Sequence, residues 1–385
     1  MRKMVKVKEH GLKILQGNEA CVEGAVAAGC QFFAGYPITP ASEIAEYMAH
    51  KLPTCHQGTF VQMEDELASI SAITAARWGG NKSMTATSGP GFSLMQEGLG
   101  YALVTETPTV IVNVQRGGPA TGQPTVSSNQ DIYQARYGSH GDYELIVLAP
   151  ASVQEMFDFT VKAFNLSEEF RVPVIVLADE IIGHMREKIL IPEEVELLEV
   201  ESPKHCKEPY RADDRLIPPS VEFFQGHNLI IDGQLHDEKG NRAGHDLEIS
   251  EKLVERLNHK ITQNIDAITD IETYETEEAS IILVSYSSVS RSALSAVKKA
   301  RAKGVAAGWI KVNSVWPFPE KALKELTASA KTVMVPEMNI GKYYREVRGI
   351  LPDQKVVSVP LVGGKLHKPD DLLALILKEA KACTN

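Results

Sequence analysis

The hydrophobic and polar positions of the first 185 residues alternate between two periods. Short apolar runs, often β-branched, predict strands that are buried on both faces. These runs lie at residues 31–36, 59–63, 83–88, 109–115, 144–149 and 172–178. Apolar positions three and four residues apart predict helices between them, at residues 41–52, 66–78 and 152–170. Alternating strands and helices indicate an α/β fold with a doubly wound, mainly parallel sheet.

The pattern changes after Pro192. Residues 193–244 are rich in Glu, Pro, Asp, Lys and Gly, which predicts an ordered but irregular connection, and a polar helix is predicted at 247–271. A second alternation predicts strands at 281–285, 306–312, 332–336 and 356–360, and helices at 288–303, 320–330, 341–350 and 370–383. We therefore predict a first α/β domain at 1–192, a connection with a helix at 193–275 and a smaller α/β domain at 276–385.

Composition narrows the class of protein. The 385 residues are 43% hydrophobic and 23% charged, which is typical of a soluble globular protein. A net charge of −10 argues against nucleic-acid binding, and no apolar run approaches the roughly 18 residues of a membrane span. The five cysteines include no C-x-x-C pair, which favours reduced thiols and a cytoplasmic location and leaves no ligand set for an iron–sulfur cluster. No Cys/His metal cluster is evident either, so no metal site is predicted on this chain.

The loops that follow the predicted strands are the first places to look for chemistry, because parallel sheets bind ligands at the carboxyl ends of their strands. Thr39 lies between two prolines after the first strand, where it could present a hydroxyl to a ligand or merely cap a helix. The run Glu64-Asp65-Glu66 follows the second strand. These acids either complement the dipole of the next helix or place one carboxylate in a cleft.

Two further loops complete this set. Gly89, Pro90 and Gly91 follow the third strand, and their glycines allow a ligand to approach the backbone closely, although the loop is not a Walker motif. Arg116 ends the fourth strand beside two glycines. Its planar guanidinium suits bidentate binding of a carboxylate, with a structural ion pair as the alternative.

Five segments together carry a family resemblance. They read GYPITPASEI at 35–44, QMEDE at 62–66, MTATSGPGFSLMQE at 84–97, QRGGP at 115–119 and GHMRE at 183–187. They resemble the 2-oxoacid:ferredoxin oxidoreductases, thiamine-diphosphate enzymes that cleave 2-oxoacids to acyl-CoA. The segments WPFP at 316–319 and PEMN at 336–339 extend the resemblance over nearly the whole chain. Alpha subunits of the 2-oxoglutarate branch are the most similar, and the branched-chain 2-oxoacid branch comes second.

The resemblance implies a fold and residue roles. The first domain would be the pyrimidine-binding domain of a thiamine enzyme, and the second would be similar to the transketolase C-terminal domain. Thr39 and Arg116 would bind the substrate carboxylate, and Glu66 would hydrogen-bond the aminopyrimidine of the cofactor. Glu64 is close enough to be confused with Glu66. A carboxyl that shares a proton with the ring nitrogen would help the cofactor to lose its reactive proton.

The resemblance also implies partners. Family members bind the diphosphate and Mg²⁺ through a Gly-Asp-Gly motif, which does not occur in this sequence. The chain should therefore be half of an active site, completed by a beta subunit that carries the diphosphate, Mg²⁺ and iron–sulfur sites. Gamma and delta subunits would be separate chains, ferredoxin would accept the electrons, and CoA would be the co-substrate.

The sequence leaves the substrate open. The leading reaction is oxidative decarboxylation of 2-oxoglutarate to succinyl-CoA; the alternatives are a branched-chain 2-oxoacid or pyruvate enzyme, or a non-catalytic scaffold. A cation that holds the distal carboxylate of 2-oxoglutarate would decide, and Lys82, Arg136 and His140 are all candidates. His184 also falls near a strand end, although most such histidines serve packing or the surface.

Overall fold

The computed structural model describes residues 1–55 and 57–384. Its strands are β1 (Arg2–Lys6), β2 (Gly11–Gln16), β3 (Phe32–Gly35), β4 (Thr59–Gln62), β5 (Ser83–Thr87), β6 (Val110–Gly117), β7 (Gln123–Ser127), β8 (Ile146–Leu148), β9 (Val174–Asp179), β10 (Arg186–Ile191), β11 (Glu194–Leu198), β12 (Ile271–Tyr274), β13 (Ile281–Ser285), β14 (Ala307–Val312), β15 (Ser314–Trp316), β16 (Thr332–Glu337) and β17 (Lys355–Pro360). Its helices are α1 (Gly17–Ala27), α2 (Ser42–Lys51), α3 (Glu66–Trp78), α4 (Gly89–Leu94), α5 (Gln96–Val104), α6 (Ile132–Tyr137), α7 (Val153–Phe170), α8 (Glu180–His184), α9 (Leu247–Thr262), α10 (Ile265–Ile268), α11 (Val289–Arg301), α12 (Glu320–Thr327), α13 (Lys342–Ile350) and α14 (Pro369–Thr384).

An eight-stranded sheet forms the larger half of the molecule. Its strand order is β15-β8-β9-β6-β5-β3-β4, with β7 paired to β6. The pairs from β8 to β4 are all parallel, whereas β7 and β15 run antiparallel to their neighbours. Every residue of β5, β6, β8 and β9 is buried, which explains why these strands read as short continuous apolar runs. The prediction of a doubly wound, mainly parallel sheet is confirmed.

A five-stranded sheet of order β12-β14-β13-β16-β17 forms the smaller half. It is parallel except for β12, which pairs antiparallel with β14. The helix predicted at 247–271 is too long. In the structure α9 ends at Thr262, the short helix α10 follows, and strand β12 begins at Ile271. Ile265, Ile268 and Ile271 continue an apolar spacing of three, so the pattern concealed this break.

The two halves share a sheet edge. β15 follows β14 of the smaller sheet in the chain, but it pairs antiparallel with β8 of the larger sheet. Its Trp316 donates an indole hydrogen bond to the carbonyl of Ile132 at 2.9 Å and stacks edge-on against Tyr343. The predicted division at residues 192 and 275 stays a prediction. β12 belongs to the smaller sheet although that division places it in the connection.

The sequence did not predict the exposed strands at the chain start. β1 pairs antiparallel with β11, and β2 pairs antiparallel with β10, forming two separate ribbons. Their lysines and glutamates interrupt the apolar runs because one face of each ribbon meets water. The predicted irregular connection therefore begins with a strand, β11, before it continues without regular structure to α9.

The irregular connection is anchored to the larger half by buried groups. Tyr210 and Val221 form a small apolar cluster with Trp78 at the end of α3. Arg77 binds the carboxylate of Glu168 and the hydroxyl of Ser220. None of the helices in the described residues combines the length and the hydropathy that are needed to cross a bilayer.

Candidate active site

Four neighbouring strands of the larger sheet bring the predicted site residues to one edge. Arg116 lies at the carboxyl end of β6, and Gly89–Gly91 follow β5. Thr39 follows β3, and Glu66 follows β4. Because β6, β5, β3 and β4 are adjacent and parallel, their carboxyl ends meet at the same edge.

The three acids after β4 have three different environments. Asp65 is the N-cap of α3, and its carboxylate accepts a hydrogen bond from the amide of Ala68 at 2.8 Å. Glu64 is exposed, whereas Glu66 is only 4% exposed. The macrodipole explanation is therefore sufficient for Asp65 but does not explain why the first residue of the helix is a buried acid.

Glu66 lies against the glycine-rich turn. Burial raises the pKa of its carboxyl group, and the hydroxyl of Thr87 donates only a long hydrogen bond of 3.5 Å to its Oε1 atom. A Cβ atom on Gly91 would lie 2.2 Å from Oε1 of Glu66 and 2.2 Å from Oγ1 of Thr87. A side chain at position 91 would therefore displace this carboxyl group or the hydroxyl of Thr87.

Arg116 contacts the loop that carries Thr39. Its Nη1 atom donates a hydrogen bond to the backbone carbonyl of Thr39 at 2.7 Å. Burial lowers the pKa of Arg116, and the charge of Asp131 opposes this effect. Among residues 1–55 and 57–384, no carboxylate pairs with Arg116 and its buried Nε atom has no hydrogen-bond partner. The side chain is thus free of the structural ion pair that was the alternative explanation.

Thr39 is exposed, and it does not cap the following helix. The N-cap of α2 is Ala41, with no hydrogen bond from a capping side chain, and α2 begins at Ser42. The predicted alternative of a Thr39 cap is therefore wrong. The hydroxyl of Thr39 remains available to a ligand at the sheet edge.

The turn at Gly89 lies beside Arg116. Gly89 has a φ of +37°, and a Cβ atom there would lie 3.6 Å from Nε of Arg116. The adjacent Ser88 hydroxyl is buried and, within the described part of the chain, has no partner. Ser88 and Arg116 therefore offer unused polar atoms beside a turn that contains two glycines, a donor set that suits a polar ligand.

The three candidates for a distal carboxylate are not brought together. Lys82 precedes β5, so it lies at the opposite edge of the sheet, and its Nζ atom donates to the carbonyl of Ala28 at 3.1 Å. Arg136 pairs with Glu144 at 2.5 Å, and His140 is exposed. The sequence could not separate these candidates because it does not show which side chains already have partners.

Residues that the sequence did not single out support the Thr39 loop. The side-chain amide of Asn18 donates to the carbonyl of Pro40 at 2.8 Å and to Oε2 of Glu43 at 2.9 Å. The other oxygen of Glu43 is 3.5 Å from Nε2 of His184. Asn18 was missed because a polar residue in the first turn of a helix is ordinary, and Glu43 because acids are common there. Within the described ranges, no group of three or more His, Cys, Asp or Glu side chains could hold a metal ion.

Comparisons with known proteins place this geometry in a family. The profile described as pyruvate flavodoxin/ferredoxin oxidoreductase, thiamine diphosphate-binding, matches residues 23–256. The profile for pyruvate:ferredoxin oxidoreductase core domain II matches residues 279–372. The two matched regions correspond to the larger and smaller sheets, apart from the edge strands β12 and β15.

Individual relatives agree with the profiles. The chain is 52% identical to the 2-oxoglutarate synthase subunit KorA of Methanothermobacter marburgensis, covering 94% of this chain and 98% of that protein. It is 35% identical to the ketoisovalerate oxidoreductase subunit VorB of the same organism, covering 94% of this chain and 97% of that protein. It is similar, with a TM-score of 0.92 and 32% identity, to the 2-oxoglutarate:ferredoxin oxidoreductase of Magnetococcus marinus, solved with 2-oxoglutarate, coenzyme A and succinyl-CoA bound. That match covers 96% of this chain but only 66% of the solved chain. The chain belongs to the 2-oxoacid:ferredoxin oxidoreductase family.

Proposed function

We propose that this chain is the alpha subunit of a thiamine-diphosphate-dependent 2-oxoglutarate:ferredoxin oxidoreductase. The reaction is the oxidative decarboxylation of 2-oxoglutarate to succinyl-CoA, with ferredoxin as the electron acceptor. The observation that carries the proposal is the placement of Glu66 and Arg116 on either side of the Gly89–Gly91 turn. One group suits the pyrimidine of the cofactor, and the other suits the carboxylate of a 2-oxoacid.

The surroundings of Glu66 fit the pyrimidine end of thiamine diphosphate. A carboxyl group with a raised pKa holds a proton more readily near neutral pH, so it can share that proton with a ring nitrogen. Gly91 leaves no side chain between this carboxyl group and the turn. When bound, the cofactor supplies the carbon nucleophile and the electron sink that decarboxylation requires. Glu66 adjusts the protonation of the ring, and Gly89, Pro90 and Gly91 allow the ring to approach the backbone.

Arg116 and Thr39 orient the 2-oxoacid. The guanidinium of Arg116 is fixed by its bond to the Thr39 carbonyl and retains an unpaired Nε atom for a charge-assisted bond. The exposed hydroxyl of Thr39 can donate a second bond to the same carboxylate. Holding the carboxylate fixes the adjacent carbonyl carbon relative to the cofactor, which lowers the entropic cost of the reaction.

The similarity to named relatives favours 2-oxoglutarate over a branched-chain substrate. Identity is 52% to a 2-oxoglutarate synthase subunit and 35% to a ketoisovalerate oxidoreductase subunit over nearly the same length. The solved relative binds 2-oxoglutarate, coenzyme A and succinyl-CoA, which supports the same substrate, co-substrate and product here.

A beta subunit is required to complete the site. This sequence contains no Gly-Asp-Gly motif, so we propose that a beta subunit supplies the diphosphate, Mg²⁺ and iron–sulfur sites. Tyr36, Leu67 and Leu94 are large apolar side chains that are each more than 40% exposed and follow the same strand ends. We propose that the beta subunit covers them. Separate gamma and delta subunits, together with ferredoxin, complete the proposed assembly.

We also propose a cytoplasmic location, which the free thiols of Cys21 and Cys30 fit.

The test is a reconstituted enzyme. The chain is co-expressed with a candidate subunit that carries Gly-Asp-Gly and C-x-x-C, and CoA-dependent ferredoxin reduction is measured with 2-oxoglutarate, 2-oxoisovalerate and pyruvate. The highest kcat/KM is expected with 2-oxoglutarate. A preference for 2-oxoisovalerate or pyruvate would support the alternative enzymes. A stable complex without turnover on any of the three would support the scaffold.

A further inference from the structure

The Thr39–Pro40 backbone, which Arg116 contacts, is also hydrogen-bonded by a side chain from another element, Asn18 of α1. Arg116 bonds the carbonyl of Thr39, and the next carbonyl, that of Pro40, accepts from the amide of Asn18 at 2.8 Å. Two consecutive carbonyls are thus held by two different side chains. Asn18 is completely buried, so a shift of its amide would move the loop and with it the guanidinium of Arg116.

Asn18 is itself fixed by close packing. Gly17 precedes it, and a Cβ atom on Gly17 would lie 1.8 Å from the carbonyl oxygen of Ile182 in α8. A Cβ atom on Gly183 would lie 2.9 Å from Oδ1 of Asn18. The starts of α1 and α2 and the end of α8 therefore meet closely at Asn18.

His184 is the next side chain in this series of contacts. The second amide hydrogen of Asn18 binds Oε2 of Glu43, and Oε1 of Glu43 is 3.5 Å from Nε2 of His184. The Nδ1 atom of the same ring is 3.1 Å from Oε1 of Glu180. The imidazole thus lies between two carboxylates, Glu43 from α2 and Glu180 from α8. The hydrogen bond with Glu180 raises the pKa of His184, burial opposes this, and the charge of Glu43 raises it further.

We propose that His184 is a positioning residue for the 2-oxoacid: through Glu43 and Asn18, its protonated ring holds the Thr39–Pro40 loop in the position that aims Arg116. The inference rests on the proposed function and adds a pH-dependent control of substrate affinity. A raised pKa means that the bridging charge is complete below the ordinary value of about 6.5 and is lost as the pH rises through the raised value. Above that value, the carboxylates of Glu43 and Glu180 face each other without a cation between them.

The test compares pH profiles of the complete enzyme complex. KM and kcat for 2-oxoglutarate are measured from about pH 6 to about pH 9 for the wild type, His184→Gln and Glu43→Gln. In the wild type, KM should rise roughly two- to fivefold across this range, because one half-exposed ion pair is lost. The pH dependence of kcat should not follow that of KM. Glutamine keeps a polar side chain at this position but does not titrate, so His184→Gln should flatten the KM profile.

Controls separate the possible outcomes. His50→Gln alters an exposed histidine at the other end of α2 and should leave the profile unchanged. Glu43→Gln removes the charge while keeping an acceptor for Asn18, so it should flatten the profile as well. A wild-type complex that does not turn over any 2-oxoacid would refute the proposed function. An active complex in which His184→Gln and Glu43→Gln keep the wild-type KM profile would refute the positioning role alone.

Discussion

A Cβ atom on Gly91 would lie 2.2 Å from the Oε1 atom of Glu66. Gly91→Ala should therefore push the buried carboxyl group out of position and overpack the turn, at a cost of roughly 1–3 kcal/mol. Affinity for thiamine diphosphate and turnover should both fall in the reconstituted complex. Calorimetric titration of the cofactor and the denaturation midpoint measure the two effects.

Gly349→Ala is the matched control for this substitution. Gly349 lies in α13, and a Cβ atom there would meet no atom within 4 Å. Replacing a helical glycine by alanine should stabilise the protein by about 0.5–1 kcal/mol and leave cofactor binding unchanged. Equal cofactor affinity in both variants would show that the contact between Gly91 and Glu66 does not shape the site.

Arg116→Ala removes the proposed clamp on the substrate carboxylate. Losing such a contact costs roughly 2–4 kcal/mol, so kcat/KM for 2-oxoglutarate should fall about 30- to 1000-fold. Cofactor binding should remain close to normal because Arg116 contacts the Thr39 loop rather than Glu66. Steady-state kinetics on the complex measure the effect, with Arg211→Ala as an exposed control. Unchanged kcat/KM in Arg116→Ala would mean that another cation binds the carboxylate.

The elements that the sequence predicted well are those whose pattern is enforced locally. Helix α3 begins and ends where its apolar spacing predicts, with Asp65 as its cap. The buried strands β5, β6 and β9 lie within a residue or two of the predicted runs, because strands covered on both faces must be apolar throughout. The exposed ribbons have no such requirement, so their mixed sequences carried no clear signal.

The candidate site likewise contains residues that the local sequence indicates and residues that it does not. The rule that ligands bind at the carboxyl ends of parallel strands drew attention to Thr39, to the acids at 64–66 and to Arg116, and the family resemblance then singled out Glu66 among the acids. The contacts of Asn18 and His184 join segments that are far apart in the chain, so no local pattern indicates them. Among Lys82, Arg136 and His140, only the fold shows that the first lies at the opposite sheet edge.

Glu106→Gln tests the buried charges that join α9 to the larger half. The carboxylate of Glu106 is completely buried, 2.7 Å from Nζ of Lys260 and 2.5 Å from Nη2 of Arg256. Removing it leaves two cations unpaired, so the free energy of unfolding should fall by roughly 3–5 kcal/mol, as measured by denaturant titration. Glu248→Gln breaks the exposed pair with Lys252 and should change it by less than about 1 kcal/mol.

The same carboxylate gives a pH dependence with a definite sign. The cations lower the pKa of Glu106 to about 2, against burial, which raises it. Its contribution to stability is therefore present above the ordinary pKa of a glutamate, about 4.3, and is lost as the pH falls towards about 2. The stability of wild type should fall more steeply in this acid range than that of Glu106→Gln. Parallel acid-unfolding curves would show that Glu106 is not the group responsible.

Glu66→Gln tests whether the buried carboxyl group acts on the cofactor. The amide can still hydrogen-bond the pyrimidine, but it cannot share a proton with the ring nitrogen, so exchange of the thiazolium C2 proton should slow markedly. NMR after rapid quenching follows this exchange in the complex. Glu64→Gln is the control: Glu64 is exposed and two residues away, and its replacement should leave exchange unchanged. Slow exchange in Glu64→Gln alone would move the catalytic role to that residue, and normal exchange in both variants would leave these acids with a purely structural role at the start of α3.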